Sequence, residues 1–246
     1  MNTKIIAHRG YSDKFPENTM LAFKQAEVCG CHGIELDIHL TKDQQIVICH
    51  DEEIDRTSNG KGWIKDMTLE EIQTYQFNNG MDIDYVENPL DITAPSLDTF
   101  MEWFVETDLE LNIEIKNNIF EYPGVIDMTL ELIDKYQIQE RVIISSFNHH
   151  TIATIKNMRS DIKCGFLTAC SLLEPGDYCK KYAVECYHPL FLSLTDEDFN
   201  NLRQTQTEVN VWTVNELEQM KWMMSQNVDR IITNCVETAL DLINEA

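Results

Sequence analysis

Gly33-Ile34-Glu35-Leu36-Asp37-Ile38-His39-Leu40 runs through Thr41-Lys42-Asp43-Gln44-Gln45 into Ile46-Val47-Ile48-Cys49-His50, and the fold is decided in this stretch. Two β-type runs are joined by five polar residues. A crossover between parallel strands needs about a dozen residues or more, usually a helix. The join is therefore a β-hairpin. The first run extends past the rim of its sheet, turns and comes back, which returns His50 to the neighbourhood of Glu35 and Asp37.

Outward from the hairpin, short apolar runs alternate with helical segments. Strands are expected at residues 5–7, 33–37, 111–115, 142–145, 164–167, a weaker one near 185–188, 209–212 and 230–233. They are largely apolar rather than alternating, as strands buried on both faces are. Helical spacing of apolar residues appears over 19–29, 125–136 and 216–224. Repeated strand–helix units imply a parallel sheet. Eight of them in 246 residues imply a closed α/β barrel, with the hairpin as an extension after strand 2. One domain is expected over residues 1–246, with a small insertion at about 52–95. That insertion holds the turn-rich Thr57-Ser58-Asn59-Gly60-Lys61-Gly62. A short helix follows, opened by a Thr68/Glu71 capping box and expected to end at Asn78-Asn79-Gly80. An acidic stretch over 81–95 completes it.

Side chains two apart on a strand point the same way. Glu35 and Asp37 therefore share a face, as do Glu114 and Lys116. In a parallel barrel, functional residues gather at the C-terminal strand ends. His8-Arg9 closes the first strand, Glu35/Asp37 the second and Glu114/Lys116 the third. Neighbouring strands lie roughly 4.8 Å apart, so three carboxylates can converge on one cation. All-oxygen ligation selects Mg²⁺ or Ca²⁺. Any one of these pairs alone reads as a solvated face or a surface ion pair; their convergence on adjacent strand ends favours a site. Charges at a barrel mouth must be paired or bind a metal. Two imidazoles able to move protons, one guanidinium, one ammonium and a carboxylate cluster suit metal-assisted attack on a phosphate ester. His32, His39, His149-His150 and His188 are weaker candidates. Trp212, at a strand end, is either core or an apolar wall for substrate, and Phe147 is a weaker case of the same kind.

Bulk properties narrow the partners. Net charge is −23, from 19 basic and 42 acidic residues. Such a chain repels nucleic-acid backbones and anionic membranes. A small phosphodiester substrate, no nucleic acid and no stable membrane association are expected. The N-terminus lacks the pattern of a signal peptide, and no run approaches the length of a membrane span. Eight scattered cysteines read as reduced thiols of a cytoplasmic protein.

Taken in order, His8-Arg9-Gly10, Pro16-Glu17-Asn18-Thr19, Glu35-Leu36-Asp37 and His50-Asp51 resemble the glycerophosphodiester phosphodiesterase family. The resemblance continues through Asp55-Arg56-Thr57-Ser58-Asn59-Gly60-Lys61-Gly62, Glu114-Ile115-Lys116, Ser145-Ser146-Phe147 and Trp212-Thr213-Val214-Asn215. It covers nearly the whole chain. It implies a TIM (β/α)8 barrel that hydrolyses glycerophosphodiesters, such as glycerophosphocholine or glycerophosphoethanolamine, to sn-glycerol 3-phosphate and an alcohol. Carried over by position, His8 and His50 are the acid/base pair, and Glu35, Asp37 and Glu114 bind one divalent cation. Arg9 and Lys116 contact the phosphate, while Glu17 and Asn18 support the cluster. The resemblance weakens at Arg230-Ile231-Ile232-Thr233-Asn234-Cys235-Val236, where the family has glycine, two apolar residues, Thr, Asp and soon Pro. That departure is expected to leave the catalytic set untouched and to bear on substrate preference. Two alternatives stay open: a related phosphodiesterase acting on lysophospholipids through a cyclic phosphate, and a barrel that binds metal and phosphate without catalysis.

Overall fold

Eight parallel strands close into a ring in the computed structural model, which describes residues 3–83 and 86–244. The strands are β1 (Lys4–His8), β2 (Gly33–Leu40), β3 (Ile46–Ile48), β4 (Glu110–Ile115), β5 (Val142–Ser146), β6 (Lys163–Thr168), β7 (Cys186–Pro189), β8 (Glu208–Val211) and β9 (Arg230–Thr233). The ring runs β1-β2-β4-β5-β6-β7-β8-β9, and β1 pairs with both β2 and β9 to close it. This is the expected TIM barrel, and all eight expected strands are present.

β3 lies outside the ring. It pairs antiparallel with the far end of β2, in the register Ile38↔Ile48, His39↔Val47 and Leu40↔Ile46. β4 pairs β2 only as far as Ile38, so the last residues of β2 project beyond the rim. Gln44, at φ 58°, takes the left-handed position of the turn, and Thr41 N–H bonds Gln45 O at 3.0 Å. The hairpin is the one the five-residue join demanded.

Helices separate the ring strands: α1 (Met20–Cys29), α2 (Leu69–Ile72), α3 (Leu97–Phe104), α4 (Val125–Tyr136), α5 (His149–Met158), α6 (Pro175–Lys181), α7 (Asp196–Thr205), α8 (Leu217–Ser225) and α9 (Val236–Asn244). Thr19 caps α1 by accepting from Ala22 N. Strand alternation sends Ile5, Ala7, Ile34, Leu36, Ile113 and Ile144 outward into the helix-facing core. Burial of that apolar layer is the main driving force for the fold. Among the described residues, no helix is long and apolar enough to cross a membrane.

The chain leaves the hairpin after β3 and returns at Pro95, whose carbonyl accepts from Ile48 N at 2.9 Å. Between these points Val47, Cys49, Ile54, Ile64, Ile72, Phe77 and Ala94 make a second, small apolar cluster. The Thr68/Glu71 capping box forms as expected. The helix it opens stops at Ile72 rather than reaching Asn78-Asn79-Gly80. Past Gln73 the backbone tightens, with Thr74 N–H on Glu71 O at 3.2 Å and Tyr75 N–H on Ile72 O at 3.1 Å, and Phe77 N–H then pairs with Ile92 O at 2.7 Å instead of continuing the helix. In the acidic stretch, Asp84 and Tyr85 lie outside the described residues.

The inside of the barrel is polar at its N-terminal end. Arg230 bonds Glu110 at 2.8 Å and Glu208 at 2.6 Å. Lys4 pairs with Glu110, and Lys163 with Glu208 at 2.6 Å. Arg230, where the resembled family carries glycine, is thus the centre of an ion-pair plug at the end opposite His8.

Candidate active site

Strand register assembles the site. Across β1 and β2, His8 stands beside Glu35; across β2 and β4, Asp37 stands beside Glu114. Directly after β1 the chain turns sharply, with Arg9 at φ 57° and Gly10 at φ 79°. A Cβ at Gly10 would meet Ala22 at 2.8 Å, so only glycine fits here. The turn aims the Arg9 N–H at Glu35 Oε2, 3.0 Å away. It also lays the guanidinium along the cluster, with Nη1 2.8 Å from Glu17 Oε1 and Nε 3.4 Å from Asp37 Oδ2.

Oxygens of Glu35, Asp37 and Glu114, all buried, lie within 4.8 Å of one another. Like charges that close resist common ionisation. Burial, then Asp37 and Glu114, push the Glu35 carboxyl well above the ordinary carboxylate range. Burial and Asp37 raise Glu114 against the pull of Lys116. Asp37 goes the other way: burial opposes its ionisation, but Lys116, Arg9 and the Asn18 amide outweigh it and hold it low. Asn18 Nδ2 donates to Asp37 Oδ2 at 2.9 Å. Lys116 Nζ stands 3.0 Å from Glu114 Oε1 and 3.7 Å from Asp37 Oδ1. Its approach to Glu114 pairs charge without hydrogen-bond alignment, so among the described residues Glu114 Oε1 has no hydrogen-bond donor. A buried all-oxygen trio with one oxygen unpaired fits a hard divalent cation.

The two histidines are held differently. His8 Nδ1 faces Asn234 Oδ1 at 2.6 Å. An amide oxygen only accepts, so Nδ1 carries the proton and Nε2 is left with its lone pair. That Nε2 is 4.0 Å from Glu35 Oε2. Burial, then the neighbouring Arg9, lower His8 to about 4. His50 Nδ1 meets Asp51 Oδ1 at 2.5 Å, and its Nε2 lies 3.2 Å from Lys116 Nζ. Its backbone is pinned too: buried His39 Nε2 bonds the His50 carbonyl at 3.1 Å, and His39 Nδ1 is 3.0 Å from the Tyr122 hydroxyl.

His8, Arg9, Glu35, His50, Glu114, Lys116 and Trp212 line one cleft of about 230 Å³, and Asp37 lies buried beneath it. Trp212 and Phe147 meet edge to face with centroids 5.5 Å apart, and with Leu167 and Ile232 they make its apolar wall. Trp212 Nε1 donates to His188 O at 2.8 Å, which fixes the indole.

Other histidines are placed elsewhere. His32 Nδ1 accepts from Ile5 N at 3.0 Å, His149 bonds the Leu167 carbonyl at 2.9 Å, and His188 is buried against Asn210 at 2.8 Å. One expectation is corrected. The departure at Asn234 does touch the proposed catalytic set, because barrel closure sets the end of β9 beside the end of β1. Asp51, Arg56, His39 and Tyr122 also reach the site's partners. The His50-Asp51 adjacency and the 55–62 motif are sequence signals for the first two, and a histidine two residues past Asp37 on the same strand face is a faint one for the third.

Residues 8–238 match the sequence profile of the Glycerophosphoryl diester phosphodiesterase family. A glycerophosphodiester phosphodiesterase of Caldanaerobacter subterraneus subsp. tengcongensis is 39% identical over 245 residues, covering 100% of this chain and 99% of that one. One from Bacillus altitudinis is 36% identical, with 99% of each covered. Among solved structures, an Oleispira antarctica phosphodiesterase in complex with the product sn-glycerol-3-phosphate superposes with a TM-score of 0.87 at 22% identity, over 98% of this chain and 96% of that one. A Thermotoga maritima glycerophosphodiester phosphodiesterase superposes with a TM-score of 0.79 at 26% identity, over 98% and 99%.

Proposed function

The chain belongs to the glycerophosphoryl diester phosphodiesterase family, and from that premise we propose that it hydrolyses small glycerophosphodiesters, glycerophosphocholine or glycerophosphoethanolamine among them, to sn-glycerol 3-phosphate and an alcohol. The observation that carries this reading is one cleft shared by two histidines, Arg9, Lys116 and a buried carboxylate trio. The product bound by the Oleispira antarctica protein, which shares the fold, is of the same chemical class.

Glu35, Asp37 and Glu114 would hold one Mg²⁺ or Ca²⁺ ion, which when bound supplies positive charge against the phosphate's non-bridging oxygens. Such an ion would offset the acidity of the chain where an anionic substrate approaches. Arg9 and Lys116 add their charge to the same oxygens. His8 and His50 divide the proton transfers: one accepts the nucleophile's proton, the other protonates the leaving oxygen. Trp212 and Phe147 form the surface against which the glycerol carbons lie. Five buried free thiols suit a reducing, cytoplasmic setting.

The reading is tested with glycerophosphocholine in a coupled glycerol 3-phosphate assay. EDTA-treated protein should be inactive and should recover with Mg²⁺ or Ca²⁺. Full turnover in excess EDTA would remove the cation from the mechanism.

A further inference from the structure

Arg56 sits on the loop after β3, with its side chain 44% exposed and no place in the cleft lining. Its partners reach the cleft from two sides. Nη1 and Nη2 grip Glu17 in a fork, at 2.9 Å to Oε2 and 2.7 Å to Oε1. Nε donates to Asp51 Oδ2 at 2.6 Å, and Nη2 reaches Asp51 Oδ1 at 3.2 Å. Beyond Glu17 stands Arg9, whose Nη1 shares Glu17 Oε1 at 2.8 Å. Beyond Asp51 stands His50, with Nδ1 2.5 Å away. One guanidinium thus closes a continuous chain, Arg9–Glu17–Arg56–Asp51–His50. The Glu17 end of that chain is nearly buried, its side chain 10% exposed.

We propose that Arg56 is a positioning residue that sets the imidazole of His50 and the guanidinium of Arg9 together. The inference rests on the roles given to those two residues above.

Asp51 can hold the His50 Nδ1 proton only while its own carboxylate is fixed, and Arg56 is what fixes it. Glu17 would otherwise swing with Arg9; the fork ties it to the same anchor. An isolated exposed ion pair contributes little, but a bidentate network is the exception. Lysine cannot substitute, because a point charge has no fork to present to two carboxylates at once. The loop is built to present this residue. Ile54 N–H bonds Gly62 O at 3.0 Å, Gly62 N–H bonds Asp55 Oδ1 at 2.8 Å, and Ser58 Oγ donates to Ile54 O at 2.7 Å. A Cβ at Gly60 would meet Ile54 and Tyr75 at 2.6 Å. The Asp55-to-Gly62 motif thereby gains a purpose that the cleft alone does not supply.

The test compares parent, Arg56→Gln and Arg56→Lys, each ¹⁵N-labelled and metal-free, by long-range ¹H–¹⁵N spectra of the imidazoles. In both variants the His50 Nδ1 resonance should move from its protonated, hydrogen-bonded position toward the averaged value of a free ring. The melting temperature should stay near that of the parent. With metal restored, kcat on glycerophosphocholine should fall about 10- to 100-fold, the range for residues that orient a site, and KM should rise as Arg9 loosens. Lysine should recover little. A His50 resonance unchanged in both variants overturns the proposal, whether or not activity falls. Should Arg56→Gln fold poorly, Arg56→Lys, which keeps the charge, decides on its own. A His50→Ala protein that remained active would instead refute the role of His50 and leave the resonance result standing.

Discussion

Asn234 Oδ1 lies 2.6 Å from His8 Nδ1, although 226 residues separate the two in the chain. The contact exists because β9 closes the barrel against β1, with Ala7 beside Thr233 in the register. It fixes which nitrogen of His8 faces the cleft. It also places a neutral amide where a carboxylate would favour imidazolium.

Asn234→Asp should therefore raise His8 from about 4 by about one unit or more, as an opposite charge at this distance does. An NMR titration of the His8 ring in metal-free protein measures it. Asn234→Ala should leave the fold intact and lower kcat about tenfold through loss of the tautomer anchor. An unaltered His8 titration in the aspartate variant would mean that residue 234 does not govern Nδ1.

At the other end of the barrel, Arg230 joins Glu110 and Glu208. Arg230→Met leaves both carboxylates without their shared partner, though Lys4 and Lys163 still pair with them. The loss should be about 1–3 kcal/mol, below that for a wholly unpaired buried charge. Urea unfolding measures it. The kcat of the folded variant should match the parent, since the plug lies at the end of the barrel away from the cleft.

His188 supplies a pH signature. Burial, then Arg230, lower it from 6.5 to about 3. Its folded pKa is depressed, so the unfolded chain binds the proton first as pH falls. Its contribution is whole above pH 6.5 and is lost progressively as pH drops toward about 3. The slope per group approaches about 1.4 kcal/mol per pH unit between those limits. Urea midpoints of His188→Gln between pH 4 and 7 should decline less steeply than those of the parent (roughly one proton's worth less). Parallel declines would place the acid sensitivity in other groups.

Much of this molecule could be read from its sequence because its logic there is local. The five-residue join between Leu40 and Ile46 permits only a hairpin. Spacing of two within a strand put Glu35 with Asp37 and Glu114 with Lys116 before any register was known. What escaped is what ring closure and loop packing decide. Asn234 meets His8 only because the last strand returns to the first. Arg56 reaches Glu17 only through the conformation of the 54–62 loop, and Arg230 finds Glu110 only across the barrel interior. His39, two residues past Asp37, stays out of the cleft lining, but its link to the His50 carbonyl, with Tyr122 on its other ring nitrogen, depends on the hairpin's return. α2 also ends earlier than the spacing predicts, because Phe77 N–H pairs with the distant Ile92 carbonyl at 2.7 Å.

If His8 and His50 move the protons at a cleft built on Glu35, Asp37 and Glu114, removing either imidazole should cost most of the turnover. The most direct measurement is the steady-state release of glycerol 3-phosphate from glycerophosphocholine by His8→Ala and His50→Ala, with saturating Mg²⁺ and a circular-dichroism check of folding. Each substitution should lower kcat by roughly 100- to 10,000-fold in a folded protein. Parental turnover in either folded variant would show that its histidine does not move the protons.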